Sequence, residues 1–260
     1  MPAERNSEFR ALRVLITGGG DGLGRALAVL YAGQGHHVTI LDLDQVLGAR
    51  LANSCERIAF VPLDLAAFEE RDLDGLSESF DIVICNAGIS VSGDFRRIDS
   101  GEERHVFEVN VLGHIQLVKL LLRSGRVRRE ARLAFVLSAS VYLPFPIALA
   151  YASSKAALDG FANALEPYLR GERISVTRVY PGPMKTAHHD KYYARFGPRV
   201  GAAPAKVARA VASGLARRRR RVFPDAPSRL CRVVHAVSDK ALAALSYTAC
   251  RRYRETLFEG

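Results

Sequence analysis

Short apolar segments alternate with helical patterns along most of this chain of 260 residues. Six segments rich in Val, Ile and Phe are predicted to be strands, and they cover residues 14–17, 38–41, 58–61, 82–85, 134–137 and 174–179. Their apolar residues are continuous, as in strands that are covered on both faces. Helical patterns over residues 23–34, 102–122 and 152–170 lie between several of them. This order predicts a doubly wound α/β domain with a parallel sheet and right-handed crossovers.

The chain shows no repeat, low-complexity segment or linker, so we predict a single domain over residues 1–260. After the sixth strand, a Pro-Gly-Pro segment leads into a long irregular stretch, and a helix is predicted over residues 204–216. Irregular loops of this length inside a compact domain are usually functional. We therefore predict an irregular substrate lid over residues 183–203 and a basic, helical C-terminal tail over residues 227–260.

The charge of the chain is unevenly distributed. Lys and Arg number 37 and Asp and Glu number 27, which gives a net charge of +10. Most of the excess lies in residues 216–260, where eleven basic residues stand against four acidic ones. In the favoured interpretation the arginines stay in solvent while the apolar residues 241–250 pack on the lid or on a second subunit. In the alternative, the tail makes a weak contact with an anionic membrane or a carrier protein.

Several functional classes and locations are not indicated. No helix-turn-helix pattern or basic stripe with interleaved aromatic residues predicts nucleic-acid binding. The first ten residues are polar and lack the apolar core of a signal peptide, and no stretch of 18 apolar residues without a charge predicts a membrane span. The four cysteines are far apart, without a disulfide or zinc spacing. We expect a cytoplasmic protein, peripheral at a membrane if the tail binds one. We also expect the pair His188-His189 to be solvated, and we assign no metal site.

A glycine-rich turn joins the first strand to the first helix. It reads Thr17-Gly-Gly-Gly-Asp-Gly-Leu-Gly24. Gly18 permits a tight turn, Gly22 lets the backbone approach a pyrophosphate, and Gly24 lets the helix pack close to the sheet. The helix N-terminus then faces the anion. The turn therefore predicts a dinucleotide site that includes Gly18, Asp21, Gly22, Leu23 and Gly24.

The second strand ends in Asp42, eighteen residues after the last glycine of the turn. A carboxylate at this position accepts hydrogen bonds from both ribose hydroxyls of an adenosine and repels a 2′-phosphate. Asp21 adds negative charge nearby, and Leu43 supplies no cation. These residues predict that NAD is preferred over NADP. After the third strand, Asp64, followed by Leu65, meets the adenine amino group in one interpretation and is an ordinary turn residue in the other.

Tyr151 and Lys155 are four residues apart in a predicted helix, and Ser138 lies thirteen residues before the tyrosine. Residues i and i+4 share one face of a helix, so the ammonium is expected to lower the pKa of the phenol. A phenol so placed can protonate a carbonyl oxygen to which the serine hydroxyl also donates. Ser140 is a rival serine, but the spacing favours Ser138. A Tyr-x-x-x-Lys pair also arises by chance, so it gains weight only from the rest of the chain.

Together these features resemble the short-chain dehydrogenase/reductase family over about residues 10–225. The turn resembles its Thr-Gly-x-x-x-Gly-x-Gly motif, although many members have Ser or a basic residue in place of Asp21. The other matching cofactor positions are Asn86, Ala87 and Gly88 of an Asn-Ala-Gly motif, Pro181 and Gly182 of a Pro-Gly motif, and Thr186. The matching catalytic positions are Asn110, Ser138, Tyr151 and Lys155, of which Tyr151 and Lys155 also contact the cofactor in the family.

The resemblance implies a single-domain Rossmann fold of about seven parallel strands and an NAD-dependent oxidoreductase that acts on CH-OH/C=O groups. It also implies a homodimer or homotetramer. Tyr151 would donate the proton, Ser138 would orient the carbonyl, Lys155 would hold the nicotinamide ribose, and Asn110 would anchor a water that relays protons. The alternative is a non-enzymatic NAD-binding regulator or scaffold, against which the intact set of four residues argues.

The substrate is indicated only by composition. Residues 141–147 are apolar, and the predicted lid carries Met184, Tyr192, Tyr193 and Phe196. These side chains predict a hydrophobic carbonyl compound or secondary alcohol. In the alternative interpretation, several of them simply pack on the lid or on a partner subunit.

Overall fold

Seven parallel strands form one sheet in the computed structural model, which describes residues 10–194 and 201–238 together with Lys240, Ala244 and Tyr247. The strand order is β3-β2-β1-β4-β5-β6-β7, so the winding direction reverses between β1 and β4. The strands are β1 (Arg13–Thr17), β2 (His37–Asp42), β3 (Ile58–Pro62), β4 (Phe80–Cys85), β5 (Val127–Val136), β6 (Ser175–Val179) and β7 (Arg221–Val222). The predicted doubly wound Rossmann fold is confirmed.

Eight α-helices are described around this sheet. They are α1 (Gly22–Gly33), α2 (Gln45–Asn53), α3 (Ser100–Phe107), α4 (Gly113–Arg123), α5 (Leu149–Tyr168), α6 (Ala187–Tyr193), α7 (Pro204–Ala216) and α8 (Ala226–Val237). Short 3₁₀ turns lie at Glu70–Leu73, Ala139–Val141 and Arg170–Glu172. The helices supply the apolar cover that continuous hydrophobic strands require.

Two apolar layers hold the helices on the sheet. On one face, Ile16 of β1 packs with Leu27 of α1 and Val211 of α7. On the other face, Leu15 belongs to the layer that contains Leu117 of α4 and Leu158 of α5. Adjacent residues of one strand therefore enter opposite layers, because successive side chains in a strand point to opposite faces. Burial of both layers leaves the carboxyl edge of the sheet free to carry a site.

The helix predicted over residues 102–122 is interrupted at its centre. A π-helical turn at Glu108–Leu112 joins α3 to α4, with Asn110 inside it. Single π turns in helices frequently mark functional sites. The combined run Ser100–Arg123 is long and apolar enough to cross a membrane by length and composition. It is half buried in this fold, however, and Leu117 and Leu121 belong to the core.

Two C-terminal elements differ from the sequence-based picture. The segment predicted to be an irregular lid contains helix α6, and Met184 pairs with Ala202 across it. Residues 195–200 lie outside the described residues. Residues 217–221 are five consecutive arginines, called the arginine run below. Its last residue, Arg221, belongs to the edge strand β7 and is in register with Arg178. Charged side chains on an edge strand discourage pairing with another chain. Of the predicted basic tail, α8 and three isolated helical positions are described.

The start of α4 lies directly against the loop after β3. A Cβ atom added to Gly113 would stand 2.2 Å from the carbonyl oxygen of Leu65, which is a backbone atom that cannot rotate away. Gly160, in the exposed part of α5, would meet nothing within 4 Å. An added methyl group therefore has no room at Gly113 but is accommodated at Gly160.

Gly113→Ala should lower the free energy of unfolding by roughly 2–4 kcal/mol, because α4 must move away from the sheet. Gly160→Ala should leave it unchanged or raise it by up to about 1 kcal/mol, because alanine favours the helix. Chemical denaturation followed by circular dichroism measures both changes. Equal stability of the two variants would contradict the close approach at Gly113.

Candidate active site

A cavity of about 720 Å³ opens at the carboxyl ends of the strands. Its wall begins at the glycine-rich turn after β1, continues along the ends of β2, β3 and β4, and ends at the segments that follow β5 and β6. Open α/β sheets bind ligands at this edge, where the winding direction reverses. This cavity is called the cleft below.

The glycine-rich turn is closed by the loop that follows β4. The side-chain amide of Asn86 donates to the carbonyl oxygens of Thr17 at 2.9 Å and Gly18 at 3.1 Å. A Cβ atom on Gly24 would lie 1.9 Å from the Gly18 oxygen, so only glycine fits there. Gly18 and Gly22 have φ values of +63° and +55°. The turn therefore has the compact shape that the sequence predicted.

Three carboxylates lie along the part of the cleft beside the turn. Asp42 accepts hydrogen bonds from the amides of Gly20 at 2.8 Å and Asp44 at 2.9 Å, one on each oxygen. Asp64 accepts from the amide of Ala66 at 2.8 Å. Asp21 is the N-cap residue of α1, and its side chain makes no capping bond. Each oxygen of Asp42 retains a free lone pair, so the carboxylate can still accept from a diol.

Asn110 connects two loops that border the cleft. Its side-chain oxygen accepts from the amide of Ile89 at 2.8 Å, and its nitrogen donates to the Ile89 carbonyl at 2.9 Å and to Ser154 Oγ at 2.9 Å. Ser154 Oγ in turn donates to the carbonyl of Tyr151 at 2.7 Å. Asn110 is itself fully buried behind the cleft wall. The side chain therefore links the Asn-Ala-Gly loop to the first turn of α5.

Ser138 and Tyr151 form the pair that the thirteen-residue spacing predicted. The two side chains are hydrogen-bonded to each other, and Ser138 Oγ also accepts from the amide of Ser140 at 3.1 Å. The rival hydroxyl, Ser140 Oγ, is buried and has no hydrogen-bond partner among the described residues. Both serines line the cleft. The geometry thus distinguishes Ser138 as the serine that contacts the phenol.

The prediction that Lys155 lowers the pKa of the Tyr151 phenol is wrong for this structure. Lys155 Nζ donates to the carbonyl of Val136 at 3.0 Å and lies 5.8 Å from the centre of the Tyr151 ring. Burial raises the pKa of Tyr151, and the hydrogen bond from Ser138 opposes that rise. The shared helix face brings the two residues together, but burial is the largest cause of the shift and the charge of Lys155 is not one of its causes. Burial also lowers the pKa of Lys155 to about 8.

The lid helix α6 brings both histidines of the predicted solvated pair to the cleft, which corrects that expectation. The ring of His188 is 6.0 Å from that of Tyr151, and burial followed by the charge of Lys155 lowers its pKa to about 4. His188 is therefore neutral at pH 7. On the same helix, the hydroxyl of Tyr193 lies 2.7 Å from Ser90 Oγ, and the ring of Tyr193 contacts that of Phe145.

Most of the site residues predicted from the sequence meet in the cleft. Those that line it are Gly18, Asp21, Gly22, Leu23, Asp42, Asp64, Leu65, Asn86, Ala87, Gly88, Ser138, Tyr151, Lys155, Pro181, Gly182 and Thr186. Gly24 and Asn110 support the wall from behind it. The sequence did not indicate His105, Val109, Pro227 or Cys231, which also line the cleft. Val109 adjoins Asn110, whereas no local motif surrounds the other three, which tertiary packing brings to the cleft.

The chain is similar to known proteins in sequence and in fold. The family model for short chain dehydrogenases matches residues 13–195, which is more than half of the chain. A dehydrogenase/reductase SDR family protein 7-like from Anopheles gambiae is 29% identical over 209 residues, covering 72% of this chain and 64% of that relative. The chain thus spans less than two thirds of the relative's length.

Two solved structures have the same fold. A short chain dehydrogenase/reductase from Burkholderia phymatum in complex with NAD has a TM-score of 0.76 at 21% identity, covering 88% of this chain and 94% of that one. A short chain dehydrogenase from Burkholderia cenocepacia J2315 in complex with NADP has a TM-score of 0.79 at 20% identity, covering 91% and 98%. At these identities the likeness shows the fold alone. With the family match over residues 13–195, the chain belongs to the short-chain dehydrogenase/reductase family of oxidoreductases.

Proposed function

We propose that this protein transfers a hydride between NAD(H) and the carbonyl or secondary alcohol of a hydrophobic compound. The observation that carries the proposal is the convergence of Ser138, Tyr151 and Lys155 on the cleft that begins at the glycine-rich turn. A nicotinamide dinucleotide supplies the hydride when it is bound. The turn fits such a group, because it leaves no room for a side chain at Gly18 or Gly24.

Tyr151 is the proton donor in the reduction direction. Because burial raises the pKa of Tyr151, the phenol carries its proton at neutral pH and can give it to a carbonyl oxygen. Ser138, hydrogen-bonded to the phenol, orients the same oxygen. Lys155 holds the cofactor ribose, and the water relay through Asn110 stays a prediction. In the oxidation direction the same groups act in reverse.

The preference for NAD rests on the charges along the cleft. Asp21, Asp42 and Asp64 line it, and Lys155 is the one Lys or Arg among the described residues that do so. A 2′-phosphate near Asp42 would be repelled by roughly 4 kcal/mol per unit charge at about 4 Å and an effective dielectric of about 20. No described arginine lines the cleft to offset that repulsion.

The preference for a hydrophobic substrate rests on the wall beyond Tyr151. Apolar side chains from four separate segments line it, and they include Ile89, Leu143, Phe145, Met184 and Pro227. His188 lies in this part of the cleft, and it is neutral at pH 7 because burial lowers its pKa. An uncharged apolar compound fits such a wall better than a carboxylate or phosphate does.

We further propose a cytoplasmic homodimer or homotetramer in which a second copy covers helix α8. This helix exposes Leu230, Val233 and Val237 by 63%, 58% and 80%. Their spacing puts them on one side of the helix. Exposed Arg229 and Arg232 flank that side, so a weak contact with an anionic membrane is the competing arrangement.

Tyr151→Phe should lower kcat with 2-decanol and NAD by at least about 100-fold while NADH still binds, because it removes only the hydroxyl that carries the proton. Absorbance at 340 nm measures turnover, and the change in the fluorescence of NADH itself measures its binding. Tyr168→Phe, at an exposed position of the same helix, is the matched control and should retain activity. Near-normal turnover of Tyr151→Phe would refute the mechanism.

Asp42→Ala should bring kcat/KM with NADP closer to kcat/KM with NAD by at least about tenfold, because it removes the charge that repels the 2′-phosphate. Asp44→Ala removes a carboxylate that caps α2 two residues away and should leave the coenzyme ratio unchanged. Equal use of both coenzymes by the unmodified protein would contradict the carboxylate argument.

Lys155→Met should abolish turnover but raise the free energy of unfolding at pH 7 by roughly 1–3 kcal/mol, because a buried ammonium opposes folding. Burial lowers the pKa of Lys155 from 10.5 to about 8. The penalty is therefore complete below pH 8, and it disappears as pH rises from 8 to 10.5. Urea denaturation at several pH values measures this change. Exposed Lys119→Met should show no such pH-dependent gain, and a loss of stability in Lys155→Met at pH 7 would contradict the argument.

The double variant Leu230→Asp/Val233→Asp should reduce the molar mass measured by light scattering, because it places charges in the proposed subunit contact. Val29→Asp, at an exposed position of α1, should leave the mass unchanged. Salt-sensitive sedimentation with anionic vesicles at low ionic strength, lost in the double variant, would favour the membrane arrangement instead. An unchanged mass would overturn the subunit contact.

A further inference from the structure

His114 is a fully buried histidine that none of the roles proposed above uses. It lies in the first turn of α4, four residues after Asn110, and its side chain is 0% exposed. It does not line the cleft. Burying a polar ring costs free energy unless both nitrogens find partners. The position of those partners therefore indicates what the ring does.

Each ring nitrogen of His114 contacts one atom from a different part of the site. Nδ1 is 3.2 Å from the backbone carbonyl oxygen of Asn110, within the π-helical turn. Nε2 is 3.1 Å from Thr17 Oγ1, at the end of β1. The imidazole thus bridges the turn that carries Asn110 and the strand end that begins the glycine-rich turn.

The partners assign the tautomer of the ring. A carbonyl oxygen can only accept, so Nδ1 carries the hydrogen and donates it to Asn110. Thr17 Oγ1 already accepts from the amides of Asn86 at 2.9 Å and Ala87 at 3.0 Å, so its own hydrogen donates to Nε2. This assignment requires a neutral ring. Burial, followed by the charge of Lys155, lowers the pKa of His114 to about 4 and keeps it neutral.

The two ends of this bridge lead to different parts of the proposed reaction. On the Nε2 side, Thr17 holds the Asn86 and Ala87 amides beside the turn that would carry the cofactor. On the Nδ1 side, the Asn110 turn holds Ile89 and Ser154, and Ser154 bonds the backbone of Tyr151. One ring therefore links the cofactor turn to the helix that carries the proton donor.

We propose that His114 is a positioning residue for hydride transfer, which fixes the distance between the cofactor turn and the Tyr151 helix through its two hydrogen bonds. The inference rests on the proposed dehydrogenase function. In a simpler role, the ring would only satisfy core polar groups. The two roles make different predictions. If His114 is a positioning residue, loss of the hydrogen bond to Thr17 and loss of the hydrogen bond to Asn110 should have different effects on cofactor binding and turnover.

Two substitutions of His114 each remove one of its two hydrogen bonds and keep the other. The amide nitrogen of Asn reaches the place of Nδ1, so His114→Asn keeps the bond to Asn110 and loses the bond to Thr17. The amide of Gln reaches the place of Nε2, so His114→Gln keeps the bond to Thr17 and loses the bond to Asn110. His114→Leu removes both. His37→Asn and His37→Gln, at an exposed histidine, are matched controls.

The readouts are the Kd for NADH from the change in NADH fluorescence, kcat with 2-decanol and NAD, and the melting temperature. We expect His114→Asn to raise the Kd by about fivefold or more with kcat within about twofold of wild type. We expect His114→Gln to lower kcat by about fivefold or more with the Kd nearly unchanged. Each variant leaves one buried polar group unpaired, and such a loss corresponds to factors of this size. His114→Leu should change both constants, and the His37 variants neither.

The outcomes separate this inference from the function on which it rests. If the Asn and Gln variants both raise the Kd and lower kcat in parallel, in proportion to their loss of melting temperature, or change neither constant, His114 only fills the core and the inference is overturned. If the wild-type protein neither binds NADH nor oxidises the alcohol, the proposed function fails, and the inference fails with it. Should His114→Leu not fold, the Asn and Gln variants still decide between the two roles.

Discussion

Hydrogen bonds between the ends of β1 and β4 hold together everything at the carboxyl edge of the sheet. Asn86 binds two carbonyls of the glycine-rich turn, and the hydroxyl of Thr17 accepts two amides in return. The two strands are hydrogen-bonded neighbours, so their following loops must meet. Without a side chain at Gly24, the helix after the turn can approach closely enough for these bonds to form. The cleft keeps its shape because the polar groups where these two loops meet are hydrogen-bonded to each other.

The centre of the cleft combines groups that are costly to bury. Lys155 is 3% exposed, and the lowered pKa of its ammonium expresses that cost. Tyr151 is shifted the other way, because burial favours the neutral form of each group. A core of apolar residues on both faces of the sheet stabilises the fold enough to tolerate them. Stability and the proposed chemistry therefore oppose each other at this place, as is common at enzyme active sites.

The distribution of charge separates the cleft from the rest of a basic chain. Asp42 and two other carboxylates lie along the cleft, whereas the arginine run ends in an edge strand and leads towards α8. Within this run, Arg218 donates to the carbonyls of Glu130 and Arg173, and Arg220 pairs with Glu166. Part of the basic excess thus contacts neighbouring loops and helices of its own fold. The net charge of the whole chain therefore does not predict the charge along the cleft, where, among the described residues, these three carboxylates accompany one lysine, Lys155.

The sequence by itself determined the winding of the sheet, the glycine-rich turn and the pair of Tyr151 with Ser138, because these depend on local spacing and on the period of apolar residues. Only the tertiary structure decided how burial sets the pKa of Tyr151, that α6 carries His188 to the cleft, and that His114 joins two loops. The reason is physical. Burial and long-range hydrogen bonds depend on which segments pack together, and residues 17, 110 and 114 become neighbours only after β1 and the helix α4 are both in place.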